Sequence, residues 1–315
     1  MGAYAEPDAA GASGAEGRKQ MLLAIDVGNS NIVLGLYRSS NATGAPAENP
    51  AEGISHFDPE PAAFWRLTTP RASTTDEFGG TLRNLFNLED ISLESITGIA
   101  ISSVVPPFDS TLRTVCERYF KVKPLFIEPG VKTGLPVLTD NPAEVGADRI
   151  VNCVAAFDRV KGPCIIVDMG TATTFDVVSA RGEFLGGAIA PGLGISAEAL
   201  FSRAARLPRI DVRKPAKVIG TGTVDNIQIG LYYGYIGLVD GILERMIAQM
   251  TADARLPLGD TLNVQTIATG GLARLIAGGS KYIGAVDENL TLTGLRLIFE
   301  RNAQRDRPRG ARRHP

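Results

Sequence analysis

Two short stretches of this chain carry residues in an order suited to holding phosphate. Ala24-Ile25-Asp26-Val27-Gly28-Asn29-Ser30 and Ile166-Val167-Asp168-Met169-Gly170-Thr171-Ala172 each run from apolar residues into Asp-x-Gly and then small polar residues. A turn built of Gly, Asn, Ser and Thr exposes backbone N–H groups, and small hydroxyls add donors, so it can bind an anion without a lysine. An aspartate at the end of each strand can hold a hydrated cation beside that anion. One such bend alone reads more readily as an ordinary hairpin with Asp and Gly as turn formers. Two in the same order, a domain's length apart, suggest duplicated domains gripping one polyphosphate across a cleft.

A third stretch, Gly146-Ala147-Asp148-Arg149, sets an acid beside a base near a helix start. Asp148 could take a proton from a substrate hydroxyl, and Arg149 could clamp a carboxylate or phosphate. The residues alone favour a plainer alternative, an exposed pair whose acid stabilises the helix N-terminus. Gly146 is expected inside this helix, at a cost of about 1 kcal/mol against Ala. Other nucleotide motifs fit poorly. No Gly-Lys pair occurs, which excludes the P-loop. Gly192-Leu193-Gly194-Ile195-Ser196-Ala197 satisfies a loose dinucleotide fingerprint with Asp211 downstream. The strands before it read as antiparallel, however, and Pro208 interrupts what should be the next central strand.

The elements that must carry these residues follow from patterning. Met21–Val27 and Ile32–Tyr37 read as a hairpin around residues 28–31. Residues 39–63 are rich in Pro, Ala, Ser, Asn and Glu and read as a mobile insertion. A strand is expected at Trp65–Thr68, a helix at Thr75–Leu88, and a buried strand at Ile96–Val105 ended by Pro106-Pro107. A helix near Ser110–Phe120 and a short strand at Pro124–Ile127 come next. Asn141-Pro142-Ala143-Glu144 predicts a helix start, with the helix running to about Val160. Cys164–Asp168, Thr173–Ser179 and Phe184–Ala190 predict an antiparallel meander. Helices at Ile195–Ala205 and Val224–Met250, a strand at Val264–Thr269, and helices at Leu272–Ala277 and Leu292–Asn302 complete the set. Gly230, Gly234, Gly237 and Gly241 share one face of the long helix, which implies a close neighbour, either the protein's own sheet or a second subunit.

The totals narrow the class. A chain of 315 residues with 44% hydrophobic content suits one large domain or two ordinary ones. A formal net charge of -2 gives no push toward nucleic acid or an anionic membrane. The three cysteines, Cys116, Cys153 and Cys164, are odd in number and far apart, so neither a disulfide framework nor a zinc cluster is indicated. His56 and His314 are the only histidines, too few for a histidine-based metal site. Reduced thiols fit a cytoplasmic protein. No apolar run reaches the ~18 residues of a membrane helix. Residues 1–20 lack the features of a secretory signal and read as a disordered extension. Residues 303–315 read as a basic, solvated tail, with RNA contact as the alternative.

Taken together, these segments resemble type III pantothenate kinase. The matching pieces are IDVGNSNIVLGLY (25–37), ISSVVP (101–106), NPAEVGADRIVN (141–152), IIVDMGTATTFDVV (165–178), GGAIAPG (186–192), GTVDNIQIG (222–230) and ATGGLA (268–273). The resemblance implies an α/β fold of two duplicated ribonuclease H-like (actin-like ATPase) domains, with mixed sheets flanked by helices. The domains would span 21–158 and 159–302. It implies ATP-dependent phosphorylation of pantothenate in the cytoplasm, opening coenzyme A synthesis. Mg²⁺, potassium or ammonium as activating cation, and a homodimer also follow from it. By the same resemblance, Asp26, Val27, Gly28, Asn29, Ser30, Asn31, Ile32 and Val33 form a first ATP-phosphate motif, with Asp26 also holding Mg²⁺ through water. Thr171 and the Gly270-Gly271 turn add further ATP contacts. Asp148 matches the proton acceptor, Gly146, Ala147 and Arg149 the pantothenate-binding stretch, and Thr223 a substrate contact near the dimer interface. Asp168 matches the ligand of the monovalent cation. An ATP-binding regulator, or a sugar or carboxylate kinase of the same fold, is the alternative. The insertion after Tyr37 is longer than the compact hairpin usual in the family.

Overall fold

A computed structural model describes residues 20–40, 56–255, 257, 260 and 262–303. The first half begins with β1 (Met21–Val27), β2 (Asn31–Arg38) and β3 (Ala63–Thr68). Helix α1 (Thr75–Leu88), β4 (Ile96–Ser103), α2 (Pro106–Val115) and β5 (Leu125–Phe126) follow. The five strands form one sheet in the order β3-β2-β1-β4-β5. β1–β2 and β2–β3 are antiparallel, whereas β1–β4 and β4–β5 are parallel.

After α3 (Ala147–Val160) the plan repeats. The second sheet contains β6 (Cys164–Met169), β7 (Ala172–Val178), β8 (Phe184–Pro191), β9 (Gln265–Thr269) and β10 (Ala285–Val286). Its order is β10-β9-β6-β7-β8, again with three antiparallel strands extended by two parallel ones. The duplication inferred from two seven-residue stretches therefore extends to the whole sheet. Helices α4 (Leu193–Arg203), α5 (Thr223–Asp253), α6 (Ala273–Ala277) and α7 (Leu290–Ala303) complete the chain.

Three apolar cores stack through the molecule. One face of the first sheet packs on α1 and α2 through Phe78, Leu82, Phe86 and Phe108. The outer face of the second sheet packs on α5 and α6 through Tyr232, Val239, Leu243 and Ile276. Between the sheets lies a shared core. It joins Leu22 and Ala24 of β1 and Ile166 of β6 with Val151 and Val154 of α3 and Leu292 and Leu295 of α7. The two middle helices cross the halves. α7, from the end of the chain, packs on β1 and β4, while α3 also packs on β6 and β7. A boundary drawn at residue 158 or 159 thus cuts a continuous core.

Several local expectations shift. Pro106 and Pro107 end the strand as anticipated, but they also open α2, since proline tolerates the first helical turn. The last turn predicted for that helix is a wider π turn, Cys116–Phe120, closed by Lys121 in the left-handed region. The helix expected from Asn141 is broken. Asn141 caps only a 3₁₀ turn, Pro142–Glu144, Val145 is extended, and α3 restarts with Gly146 as its N-cap. Gly146 is therefore outside the helix and carries no interior glycine cost. The 39–63 segment is anchored on its return limb. Phe57 is buried, bridges Ser39, and donates its N–H to Glu300 Oε1 at 2.8 Å. Residues 41–55, and both termini, lie outside the described residues. On α5, a Cβ added at Gly230, Gly234 or Gly237 would meet nothing within 4 Å among the described residues, so the protein's own sheet is not their neighbour.

The crossing of α3 and α7 is the tightest constraint on how the halves meet. A Cβ on Gly294 would stand 2.1 Å from the Val151 carbonyl oxygen, and backbone there cannot swing aside. Gly294→Ala should destabilise the protein by about 1–3 kcal/mol or more through overpacking, read as a lower urea midpoint. A midpoint equal to the parent's would contradict this reading.

Candidate active site

The two bends face each other. Asp26, Gly28, Asn29, Ser30, Asn31, Val33, Asp148, Asp168, Thr171, Gly270 and Gly271 all line one cleft of about 520 Å³ between the sheets. At its mouth Ser30 Oγ and Thr171 Oγ1 are hydrogen-bonded at 2.9 Å, joining residues 141 apart in the chain. Val27 and Ile32 do not reach the cleft. Both are fully buried in the first core and serve as scaffold, because strand alternation turns their side chains inward. Thr223, the first residue of α5, also lies outside the cleft lining.

Each bend is closed by its own glycine amide. Gly28 N–H donates to Asn31 O at 3.0 Å, and Gly170 N–H to Ala172 O at 3.0 Å. The glycine amides are thus spent on the turns. The amides of Asn29, Ser30 and Thr171 have no acceptor among the described residues and are the ones left for an anion. Neighbouring segments brace the bends. Thr69 Oγ1 donates to Gly28 O at 2.6 Å, and Gly192 N–H donates to Thr171 O at 3.1 Å. A Cβ on Gly192 would stand 2.3 Å from that same carbonyl. The glycine-rich run after β8 therefore packs against the second bend. Because β8 is an antiparallel edge strand, it does not build a dinucleotide fold.

Three carboxylates gather at the floor. Each keeps a partly exposed edge, yet each is closely surrounded by protein. Burial, with the charges of Asp148 and Asp168, pushes Asp26 up to about 8. Burial and the Asp148 charge push Asp168 up to about 7, against a hydrogen bond from Asn152. Burial also raises Asp148, opposed by the Arg149 N–H and its positive charge. A carboxylate raised toward neutrality is matched to taking a proton from an alcohol. Gly146 makes room for it: a Cβ there would stand 2.7 Å from Asp148 Oδ1. That oxygen accepts the Arg149 N–H at 2.8 Å in the first turn of α3.

Residues that motif reading overlooked hold these groups in place. Asn152 is fully buried, donates to Asp168 Oδ2 at 3.0 Å, and accepts from Thr291 Oγ1 of α7 at 2.7 Å. It stands four residues after Asp148, on the same helix face, so helical periodicity could have flagged it. Asp176, fully buried on β7, takes Arg149 Nε at 2.7 Å and Nη2 at 2.5 Å. A lone acid in an apolar strand was its signal. Arg66 and Thr291 also line the cleft, and nothing local in the chain marks either.

The comparisons agree with this geometry. A family model described as Type III pantothenate kinase matches residues 22–245. The type III pantothenate kinase of Koribacter versatilis is 58% identical over 289 residues, covering 92% of this chain and 98% of that protein. That of Acidobacterium capsulatum is 55% identical, covering 93% and 99%. Among solved structures, a conserved Baf family protein of Campylobacter jejuni, named as a transcriptional activator, superposes with a TM-score of 0.51. It is 17% identical, over 90% of this chain and 99% of that one, which speaks to the fold alone. The paired mixed sheets are those of the actin-like ATPase fold anticipated from the sequence. With a family match over most of its length and relatives above half identity, this chain belongs to the type III pantothenate kinase family.

Proposed function

We propose that this protein transfers the γ-phosphoryl group of ATP to the terminal hydroxyl of pantothenate, in the cytoplasm, as the first step of coenzyme A synthesis. The observation that carries the reading is the pair of opposed bends, tied by Ser30 and Thr171, with the raised carboxylate of Asp148 in the same cleft. Phosphoryl transfer asks for positioning and charge neutralisation more than for covalent help. The free amides of the bends hold the phosphate chain. Asp148 orients the pantothenate hydroxyl and takes its proton as the new O–P bond forms. Arg149, held by Asp176 and lying over the Phe184 ring outside the cleft lining, would orient the acceptor side through its neighbour Asp148, whose Oδ1 accepts the Arg149 N–H.

Cations fit this cleft. Asp26 and Asp168 are desolvated acids that repel one another and Asp148, so positive charge is missing at the floor. Among the described residues no three His, Cys, Asp or Glu groups converge into a ready cage. That suits Mg²⁺, which commonly binds through one or two carboxylates together with phosphate oxygens and water. Asp26 would orient hydrated Mg²⁺, and Asp168 would hold potassium or ammonium. When bound, these ions neutralise charge on the phosphates. The homodimer reading is supported by α5, which carries glycines open to solvent and the exposed Val224 and Tyr233. Packed along that helix, a second copy would bring Thr223 to the substrate at the interface. No described helix is long and apolar enough to cross a membrane.

Three outcomes test the reading. In a coupled ADP-release assay, with and without potassium, the protein should turn over pantothenate, and Asp148→Asn should lower kcat by ~10²–10⁴ while ATP binding is largely kept. Near-full turnover in that variant would defeat the assignment. The second concerns pH. Unfolded aspartates titrate near 3.8, whereas Asp26 and Asp168 sit near 8 and 7 in the fold. Between those limits the folded form binds more protons than the unfolded one, so stability is fullest at low pH and falls as pH rises through about 7 to 8. The urea midpoint of the ligand-free protein should fall over that range, and Asp26→Asn should flatten the slope; a rising midpoint would refute it. Third, light scattering should give twice the chain mass of 33.4 kDa. A mass fixed at one chain across a wide dilution series would exclude the dimer.

A further inference from the structure

We infer that Arg66 is the cationic side chain that grips the phosphate chain of the nucleotide, reaching it from the edge of the first sheet. The inference rests on the reading of the cleft as an ATP site. Arg66 lies on β3 opposite Val33, on the face that strand alternation turns away from the first core. It lines the main cleft and also a side pocket of about 400 Å³ bounded by Phe64, Gly270, Gly271, Glu288 and Asn289. Its Nη1 lies 3.5 Å from where a Cβ on Gly271 would stand. The guanidinium therefore crosses from the first half to the Gly270-Gly271 link of the second, at the passage between cleft and side pocket.

Charge balance singles this residue out. The cleft is lined by Asp26, Asp148, Asp168 and Glu288, and among the described residues Arg66 is the only Lys or Arg that lines it. Two arginines close by are already committed. Arg149 is bound to Asp176, and Arg274 holds Glu288 through bonds of 2.5 and 3.0 Å. Glu288 is thereby satisfied, although the Arg66 charge still reaches it through space. The Arg66 side chain makes no hydrogen bond or ion pair among the described residues. A triphosphate adds several negative charges to a floor that already holds three acids, and three free amides carry no net charge to offset them. A planar guanidinium with unused donors matches phosphate oxygens in both charge and geometry.

The test is calorimetric titration with Mg-ADP and with adenosine, alongside steady-state kinetics, on the parent, Arg66→Ala and Arg66→Lys. Arg66→Ala should weaken Mg-ADP binding and raise the KM for ATP by about 10- to 100-fold. Adenosine binding and the KM for pantothenate should stay within about 2-fold. Arg66→Lys should recover part of the loss, because it keeps the charge and loses the fork. Arg274→Ala frees Glu288 to pair with Arg66, so it should weaken Mg-ADP binding in the parent background but not in Arg66→Ala. Undiminished Mg-ADP binding by Arg66→Ala, or an equal loss with adenosine, would overturn the role of Arg66 while leaving the ATP reading standing. A parent protein that binds no Mg-ADP would bring down both.

Discussion

The close approach of Gly294 to Val151 is the contact on which the meeting of the two sheets depends. There α7 and α3 cross at a separation too small for one additional carbon atom. Each helix is also packed on the sheet of the other half, so the contact locks both sheets into one relative pose. A close-packed interior transmits that geometry outward, because it has little slack to absorb error. The bends at Gly28–Ser30 and Gly170–Thr171, carried on those two sheets, meet closely enough for a hydroxyl–hydroxyl bond.

The cleft is built at an electrostatic cost. Asp26, Asp148 and Asp168 share a desolvated floor, and burial lifts all three above the ordinary carboxylate range. Such an arrangement weakens the empty protein and suits one that works with cations and phosphate present, since a ligand that binds only the folded form restores stability. The supporting hydrogen bonds follow the same logic. Asn152 links Asp168 to Thr291 and so ties β6, α3 and α7 together, while Asp176 fixes Arg149 from a fully buried position. The cleft carboxylates sit on strands and a helix start, and the bends that face them are braced by Thr69 and Gly192. Precision at the site thus comes from rigid elements.

Local chemistry was legible in the chain wherever a residue type leaves few conformational choices. The apolar runs of β1 and β6 and the turn residues after them announced two hairpins, and both exist with the expected antiparallel pairing. The meander β6-β7-β8 and the long α5 were likewise readable from spacing. Boundaries were less so. Asn141 and Pro142 do form a capped turn, but Gly146 interrupts it, and a capping signature cannot say how many turns will follow. Val27 and Ile32 matched the first motif and still belong to the core, because a motif names neighbours in sequence while alternation sends every second side chain to the opposite face.

Composition and order alone determined that two Asp-x-Gly bends exist, that an acid opens a helix between them, and which family pattern they follow. Backbone preference, side-chain chemistry and periodicity act over a few residues, so one strand of text contains them. Tertiary structure alone decided that the bends oppose each other and that the glycine amides close the turns while their neighbours stay free. It also decided that Asn152, Asp176 and Arg66 belong with residues from distant parts of the chain. Those facts depend on where α3 and α7 carry the two sheets, and that placement is settled by packing among residues more than a hundred positions apart.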